Sequence, residues 1–332
     1  MNQNIHDLYL SCSLCPRGCH INRHEIQTGG PAGFCRCGDT IKAARAALHH
    51  WEEPCISGVR GSGTVFFTGC TLRCCFCQNY DISQEGFGKE ITAEQLGGIF
   101  LRLQEAGAHN INLVTATQYL PSVIRALDLV KHKLHIPVVY NCGGYERTST
   151  VKMLKDYVDI WLPDLKYYDS ELSKRYSSAP DYFETASAAI RQMIIQTGPM
   201  QFTEFCDSDS SSDDFAPAES AAPASSRACR LMKKGVIIRH MVLPGAKADS
   251  IRLLHWIKDN LPEDHYLLSM MSQYTPFYKS SDYPEINRRI TSYEYYKVVD
   301  AAIELGLVNG FMQEKSSARE EYTPPFNLEG IE

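Results

Sequence analysis

The chain predicts an α/β fold built on a parallel sheet, and two observations carry that prediction. Six short β-type runs, Thr64 to Thr68, Ile111 to Thr115, Pro137 to Asn141, Asp159 to Asp164, Val236 to Leu243 and Tyr266 to Met271, alternate with amphipathic stretches. This is the pattern of strand, crossover helix and parallel strand. Helix starts are announced by capping-box pairs at Thr92/Gln95, Asp181/Glu184 and Thr291/Glu294. Periodicity alone would allow an open doubly wound sheet.

Taken in order, residues 1–40 form a cysteine-rich segment. Cys12-x2-Cys15-x3-Cys19 is followed by Cys35 and Cys37 after a Gly-Gly-Pro-Ala-Gly turn. Cys12, Cys15, Cys19 and Cys35 offer four ligands for a metal centre, and the spacing suits zinc or an auxiliary iron–sulfur cluster. His20 and His24 are spare donors in polar loop. In residues 41–63, Ile41, Ala44, Leu48 and Trp51 fall on one helical face, which predicts a connecting helix stopped by Pro54. His49, His50, Glu52 and Glu53 gather at its end, either as a functional polar cluster or as a solvated terminus. The glycine-rich 58–63 lacks the Lys-Ser/Thr ending of a phosphate loop and reads as a lead-in turn. Residues 64–315 make the α/β domain. Within it, 206–229 is rich in Ser, Asp, Ala and Pro with no hydrophobic period, which predicts a disordered insertion. Cys206 and Cys229 flank it and are expected to stay unpaired. Residues 316–332, with Tyr322 and Pro324-Pro325-Phe326, read as an extended tail lying over the domain.

With 332 residues, the chain has room for one large domain and a small appendage, and its 44% apolar content suits a packed core. There is no apolar run of 18 residues and no basic-then-apolar N-terminus, so a cytoplasmic protein without membrane contact is expected. The 13 cysteines cluster at metal-ligand spacings in a long chain, unlike a secreted disulfide scaffold. A formal net charge of -6 argues against a nucleic-acid binder; five of the acids, Asp207, Asp209, Asp213, Asp214 and Glu219, lie in the insertion.

The strongest chemical signal is Cys70-Thr71-Leu72-Arg73-Cys74-Cys75-Phe76-Cys77. Three thiolates on one loop, Cys70, Cys74 and Cys77, can each ligate a separate iron of a [4Fe-4S] cube and leave the fourth iron open. Cys75 adjoins Cys74, so its side chain should diverge from the tripod and pack as a bystander thiol. Structural zinc is the competing reading. With the apolar run Val65, Phe66, Phe67 before it and Phe76 inside it, the triad resembles that of radical S-adenosylmethionine (SAM) enzymes. The wider run Glu52-Glu53-Pro54-Cys55-Ile56-Ser57-Gly58, Gly61-Ser62-Gly63 and Phe66 to Asn79 resembles an uncharacterised branch of the pyruvate formate-lyase activating enzyme-like family. That likeness covers most of the chain outside residues 200 to 230.

The resemblance implies a partial (β/α)6 TIM-type barrel in which residues just past each strand gather at one mouth. It also implies a [4Fe-4S] cluster and SAM as cofactors, with reductive cleavage of SAM to a 5'-deoxyadenosyl radical for hydrogen abstraction. Candidate SAM contacts are Phe76, Thr115, Thr117, Asp164, Lys166 and Arg239. Lys166 and Arg239 are cations able to meet the carboxylate, Arg239 in bidentate fashion. Cys12, Cys15, Cys19 and Cys35 match an N-terminal pattern of the same family. One departure is plain: the Gly-Gly-Glu that holds the SAM amine in that family is replaced by Thr115-Ala116-Thr117-Gln118. His240 reads as a proton-handling group or as core. Implied partners are an electron donor of flavodoxin or ferredoxin type and a glycyl radical enzyme or other protein substrate. A radical enzyme acting on a small molecule or peptide side chain is the second reading, and a zinc-bound interaction module without chemistry the third.

Overall fold

The computed structural model describes residues 5–205, 229–313 and 324–331. Along the chain run β1 (Ile41–His49), α1 (Pro54–Ser57), β2 (Ser62–Phe67), α2 (Tyr80–Ser83), β3 (Lys89–Ile91), α3 (Ala93–Glu105), β4 (Ile111–Val114), α4 (Leu120–Val130) and β5 (Val138–Cys142). There follow α5 (Thr148–Met153), β6 (Ile160–Pro163), α6 (Ser170–Ser177), α7 (Tyr182–Thr197), β7 (Gln201–Phe205), β8 (Cys229–Met241), α8 (Lys247–Asn260), β9 (Leu267–Met271), α9 (Ser292–Glu304) and β10 (Gly310–Met312). All six expected strands are present.

The sheet order is β10-β9-β8-β6-β5-β4-β2-β1-β3, with β7 paired to β8. From β2 to β10 the neighbours are parallel and follow one another in chain order. A doubly wound sheet reverses its order at a switch point so that helices cover both faces. Here successive strands step the same way across the sheet, and since parallel crossovers share one hand as a rule, the helices fall on one face and the sheet curls round the other. This is the partial barrel, a mixed α/β fold with a central parallel sheet. Its edge is capped by β1, antiparallel to both β2 and β3. Among the described residues, no helix is long and apolar enough to cross a membrane.

The two faces carry separate cores. The helices bury their apolar faces against the outside of the sheet, around Trp161, Tyr140 and Ile238. Inside the curl, Val139, Ile160, Leu162, Ile237 and Leu267 pack against Cys55 and Ile56 of α1. The short helix α1 is therefore an internal plug, and Glu52 and Glu53 stand immediately before it.

Three expectations are corrected. Residues 41–49 are strand rather than helix: β1 pairs with β2 from Ala43↔Phe67 to His49↔Ser62, with a register shift between Ala43 and Arg45. That bulge breaks the two-residue alternation and buries Ala43 and Ala44 together, so Ile41, Ala44 and Leu48 imitate a helical stripe. The capping boxes at Thr92/Gln95 and Thr291/Glu294 form, whereas Asp181 makes no side-chain cap. Its carboxylate instead accepts the Tyr145 hydroxyl at 2.7 Å. Finally, β8 begins well before Val236, because its first half forms a hairpin with β7. Of the insertion 206–229 expected to be disordered, residues 206–228, Cys206 included, lie outside the described residues, as does Tyr322, while Cys229 opens the strand β8. Residues 324–331 run along β1: Leu328 N–H donates to Ala44 O at 3.0 Å, Glu329 O accepts from Ala46 N–H at 2.8 Å, and Phe326 packs edge-on against Phe66.

Candidate functional site

The cysteine loop leaves β2 through Thr68 and Gly69. Gly69 has φ +86°, and a Cβ there would collide with the Cys37 sulfur and the Cys35 carbonyl, so the position demands glycine. The start of the loop is stapled by Gln118, whose amide nitrogen donates to Thr68 O at 2.9 Å, Gly69 O at 3.0 Å and Thr115 O at 2.7 Å. Beyond it, each sulfur of the triad meets a different polar partner. Leu72 N–H donates to Cys70 Sγ at 3.4 Å, Ser177 Oγ to Cys74 Sγ at 3.0 Å, and Ser83 Oγ stands 3.3 Å from Cys77 Sγ. Cys75 diverges as expected: its N–H goes to Tyr176 O and its carbonyl accepts Lys279 N–H, both at 2.8 Å.

Cys70, Cys74 and Cys77 line one cavity of about 260 Å³ at the C-terminal ends of the parallel strands. Its walls include Phe76, Thr115, Asn141, Asp164, Lys166, Arg239 and, from β1's exit, Glu52. Of the expected SAM contacts, five of six are thus brought together. Thr117 is not. Its hydroxyl is buried between Tyr140 Oη at 2.9 Å and Glu146 Oε1 at 2.7 Å, because the turn after β4 rotates it into the layer under the helices. Thr115 takes the opposite course, holding φ +58° at the cavity wall. A left-handed conformation in a β-branched residue is strained by about 1 kcal/mol or more and marks functional sites.

The floor is a chain of alternating charges. Lys166 Nζ contacts Asp164 Oδ2 at 2.6 Å, and Arg239 Nε contacts Asp164 Oδ1 at 3.0 Å. Arg239 Nη1 reaches Glu52 Oε2 at 3.3 Å, and Nη2 donates to Asn141 Oδ1 at 2.5 Å. Glu52 Oε1 accepts from Asn112 at 3.0 Å and Asn141 at 3.1 Å. Burial works to raise the Asp164 carboxyl, but the Arg239 and Lys166 charges outweigh it and hold it below its ordinary value. For Glu52 burial wins over Arg239, and its carboxyl is raised. Every nitrogen of Arg239 already has a protein partner, so the bidentate clamp expected of it is engaged in building the floor. The ammonium of Lys166 keeps two protons free of Asp164.

Sequence reasoning missed Ser83, Ser177 and Asn112. Ser177 lies at the end of α6, a hundred residues from Cys74, and no spacing signal links them. Glu52 was one of four polar residues at the predicted helix end; the strand β1 and the plug α1 single it out. His240 belongs to the core: Nδ1 faces the Leu165 carbonyl at 2.6 Å and Nε2 faces Ser250 Oγ at 2.8 Å. A carbonyl only accepts, so Nδ1 carries the proton and Nε2 accepts from the serine.

The N-terminal segment is bolted to the barrel by Arg23, which is 1% exposed. Its guanidinium donates to the carbonyls of Cys37, Gly38 and Gln118 and lies over the Tyr9 ring at 4.9 Å. Around it stand Cys12, Cys35 and Cys37. Burial, the largest influence, pushes the Cys15 thiol up to about 12, while Cys19 Sγ accepts Phe34 N–H at 3.4 Å. His24 is taken by Asp39 at 2.6 Å and His20 stands by Ser11 at 3.4 Å. Among the described residues no three Cys, His, Asp or Glu side chains sit close enough to close on one metal ion.

The triad fits a cluster whose irons hold their thiolates apart. It supplies three sulfurs on one cavity wall, each with a hydrogen-bond partner that eases a thiolate charge. As free thiols, all three are pushed up by burial, the largest influence on each. A cationic group in the cavity is what would hold them ionised.

Residues 64–195 match the family model described as the radical SAM superfamily. Uncharacterized protein MJ0674 of Methanocaldococcus jannaschii is 28% identical over 309 residues, covering 90% of this chain and 75% of that protein. The pyruvate formate-lyase-activating enzyme of Clostridium pasteurianum is 32% identical over 111 residues, 32% of this chain and 46% of the enzyme. Among solved structures, Streptococcus suis SuiB bound to S-adenosylmethionine aligns over 74% of this chain and 48% of its own, with 14% identity and a TM-score of 0.45. Methylornithine synthase (PylB) aligns over 71% of this chain and 59% of its own, with 14% identity and a TM-score of 0.43. The chain spans about half the length of these solved structures. Residues 64–195, which carry the Cys70–Cys77 loop and the strands β2 to β6, are thus similar to the radical SAM superfamily.

Proposed function

We propose that this chain holds a [4Fe-4S] cluster on Cys70, Cys74 and Cys77 and cleaves SAM reductively beside it. The hydrogen so abstracted would come from a backbone glycine of a partner protein, as in glycyl radical activating enzymes. The observation that carries the core of this reading is the convergence, in one cavity, of the three hydrogen-bonded sulfurs with Lys166, Asp164 and Thr115. Bound to these three sulfurs, the cluster would supply the one electron that reductive cleavage of SAM consumes.

The chain's own residues bind, orient and shield. The free protons of Lys166 meet the SAM carboxylate, and Asp164 fixes that ammonium in place. Phe76, held edge-on to Tyr274 at 5.6 Å, offers an apolar shelf, while Phe66, Val114, Met241 and Met271 keep water from the wall. The similarity over 111 residues to a pyruvate formate-lyase-activating enzyme supports the protein-substrate reading. The charged floor of Glu52, Arg239 and Asp164 supports the second reading, a small molecule or peptide side chain with its own polar groups.

We further propose that Cys12, Cys15, Cys19 and Cys35 hold a second centre, iron–sulfur or zinc. The support is Arg23, a buried guanidinium that has no carboxylate within 4 Å among the described residues. A buried cation needs a counter-charge, and thiolates on a metal provide one.

The test is anaerobic reconstitution, then EPR of the reduced protein with and without SAM, with 5'-deoxyadenosine assayed alongside. A [4Fe-4S]+ signal that shifts with SAM, and is lost together with deoxyadenosine in Cys70→Ala/Cys74→Ala/Cys77→Ala, is expected. Any signal surviving in that variant belongs to the N-terminal cysteines. A colourless zinc protein that makes no deoxyadenosine overturns the enzyme reading in favour of an interaction module.

A further inference from the structure

The cysteine loop has a second side. Behind it lie two adjoining clefts of about 380 and 320 Å³, both lined by Arg36 and Arg73. Lys42 joins them in the first, and Arg175 and Lys279 in the second. The carboxylates on these walls are Glu85 and Glu90, and Arg175 is paired with Glu285 at 2.7 Å, so four further cations face two acids in a chain whose formal net charge is -6. Arg36, Arg73 and Lys279 have no carboxylate within 4 Å among the described residues.

The cations are also held in place. Arg73 donates to Phe34 O at 2.9 Å and lies over the Phe34 ring at 4.6 Å, with Arg17 over the same ring at 3.7 Å. Arg36, exposed, keeps a left-handed backbone at φ +56° between Cys35 and Cys37. Cations in excess of acids repel one another, and a persistent excess of this kind marks a surface that awaits a negative partner. The charges are spread over several elements rather than converging on a point, which suits an extended acidic face better than a single phosphate.

The position says what the partner brings. Cys70 lines both the first basic cleft and the cavity that holds the triad, and Cys75 lines the second cleft. One loop separates the basic surface from the thiols. We propose that this surface docks an acidic protein that carries one electron, and that the electron enters through the outer face of the Cys70–Cys77 loop. This rests on the radical SAM reading: each SAM cleaved consumes one electron from outside. The donor is oxidised by one electron, the triad's centre is reduced by one, and no bond forms between the two proteins.

The test uses the exposed pair Arg36→Glu/Lys279→Glu in anaerobically reconstituted protein, with reduced flavodoxin as an acidic donor and dithionite as a small one. With flavodoxin, deoxyadenosine formation by the wild type is expected to fall as salt rises, and the variant to lose about ten-fold at low salt. With dithionite the two proteins should agree within about two-fold, which shows the variant folded and loaded. Binding of oxidised flavodoxin, read by fluorescence without turnover, should weaken in the variant in parallel. A variant that keeps the wild-type rate, binding and salt dependence with flavodoxin overturns the proposal. So does a wild type that binds polyphosphate here but no flavodoxin. Salt-sensitive flavodoxin binding without deoxyadenosine from either donor would sink the catalytic reading and leave the docking surface standing.

Discussion

His240 shows how a single side chain ties the fold to pH. Burial, the largest influence, lowers its pKa to about 4 against the Leu165 hydrogen bond. The neutral ring is therefore favoured by folding, and its contribution is complete above the unfolded value near 6.5 and is lost as pH falls through the folded value. The shift corresponds to about 3 kcal/mol. His49, also held at about 4 by burial, acts with the same sign, whereas Glu146, raised to about 8 by burial, acts with the opposite one. A variant separates them. His240→Asn keeps a donor toward Leu165 O and cannot titrate, so between about pH 7.5 and about pH 4.5 urea unfolding should show the wild type losing about 2.5 kcal/mol more than the variant. Equal losses would mean that His240 protonates without cost.

At the scale of elements, the N-terminal segment and the barrel are joined by few but well-placed contacts. Arg23 alone satisfies three carbonyls, on both sides of the junction, and Arg147 Nε adds a bond to Cys15 O at 2.8 Å. Arg23→Met keeps an unbranched apolar stem and removes the donors, leaving buried carbonyls unpaired. Loss of about 2–4 kcal/mol is expected, concentrated in residues 12–38, so limited proteolysis should cut there while the barrel remains intact. Cleavage no faster than in the wild type would show that the segment is held by other means. None of this was legible in the sequence, where Arg23 stands as an ordinary loop cation. The capping boxes at Thr92 and Thr291 were legible because both partners lie within four residues of each other. Asp181/Glu184 has the same spelling, and a tyrosine from a distant loop competes for the aspartate.

For the whole molecule, the decisive feature is that α1 fills the inside of an incomplete barrel. An open curl exposes its inner face at the missing strands, and Cys55 and Ile56 close that face against Ile160, Leu162 and Ile237. Ile56 is fully buried, so Ile56→Ala should cost about 2–4 kcal/mol. The denaturant midpoint should fall with the slope unchanged. A midpoint within experimental scatter of the wild type would mean that the plug is dispensable. Because Glu52 and Glu53 precede the plug, the same element that completes the core also sets a carboxylate at the floor of the cavity.

The sequence by itself determined the six core strands, the alternation that makes the sheet parallel and the thiol triad, since each is written in residues close along the chain. It also placed Cys75 correctly, as a neighbour whose side chain must diverge. Tertiary structure alone decided the rest. A bulge turned the apparent helix at 41–51 into the strand β1, and a turn sent Thr117 beneath the helices while Thr115 stayed at the cavity. Arg239 was drawn into the floor by Glu52, Asp164 and Asn141, which lie 75 to 187 positions away in the chain. The basic clefts behind the loop gather cations from Arg36 to Lys279. Local spacing fixes which groups an element offers; only the closure of the sheet fixes which of those groups meet, because that depends on strand register and on competition among distant partners for the same donors and charges.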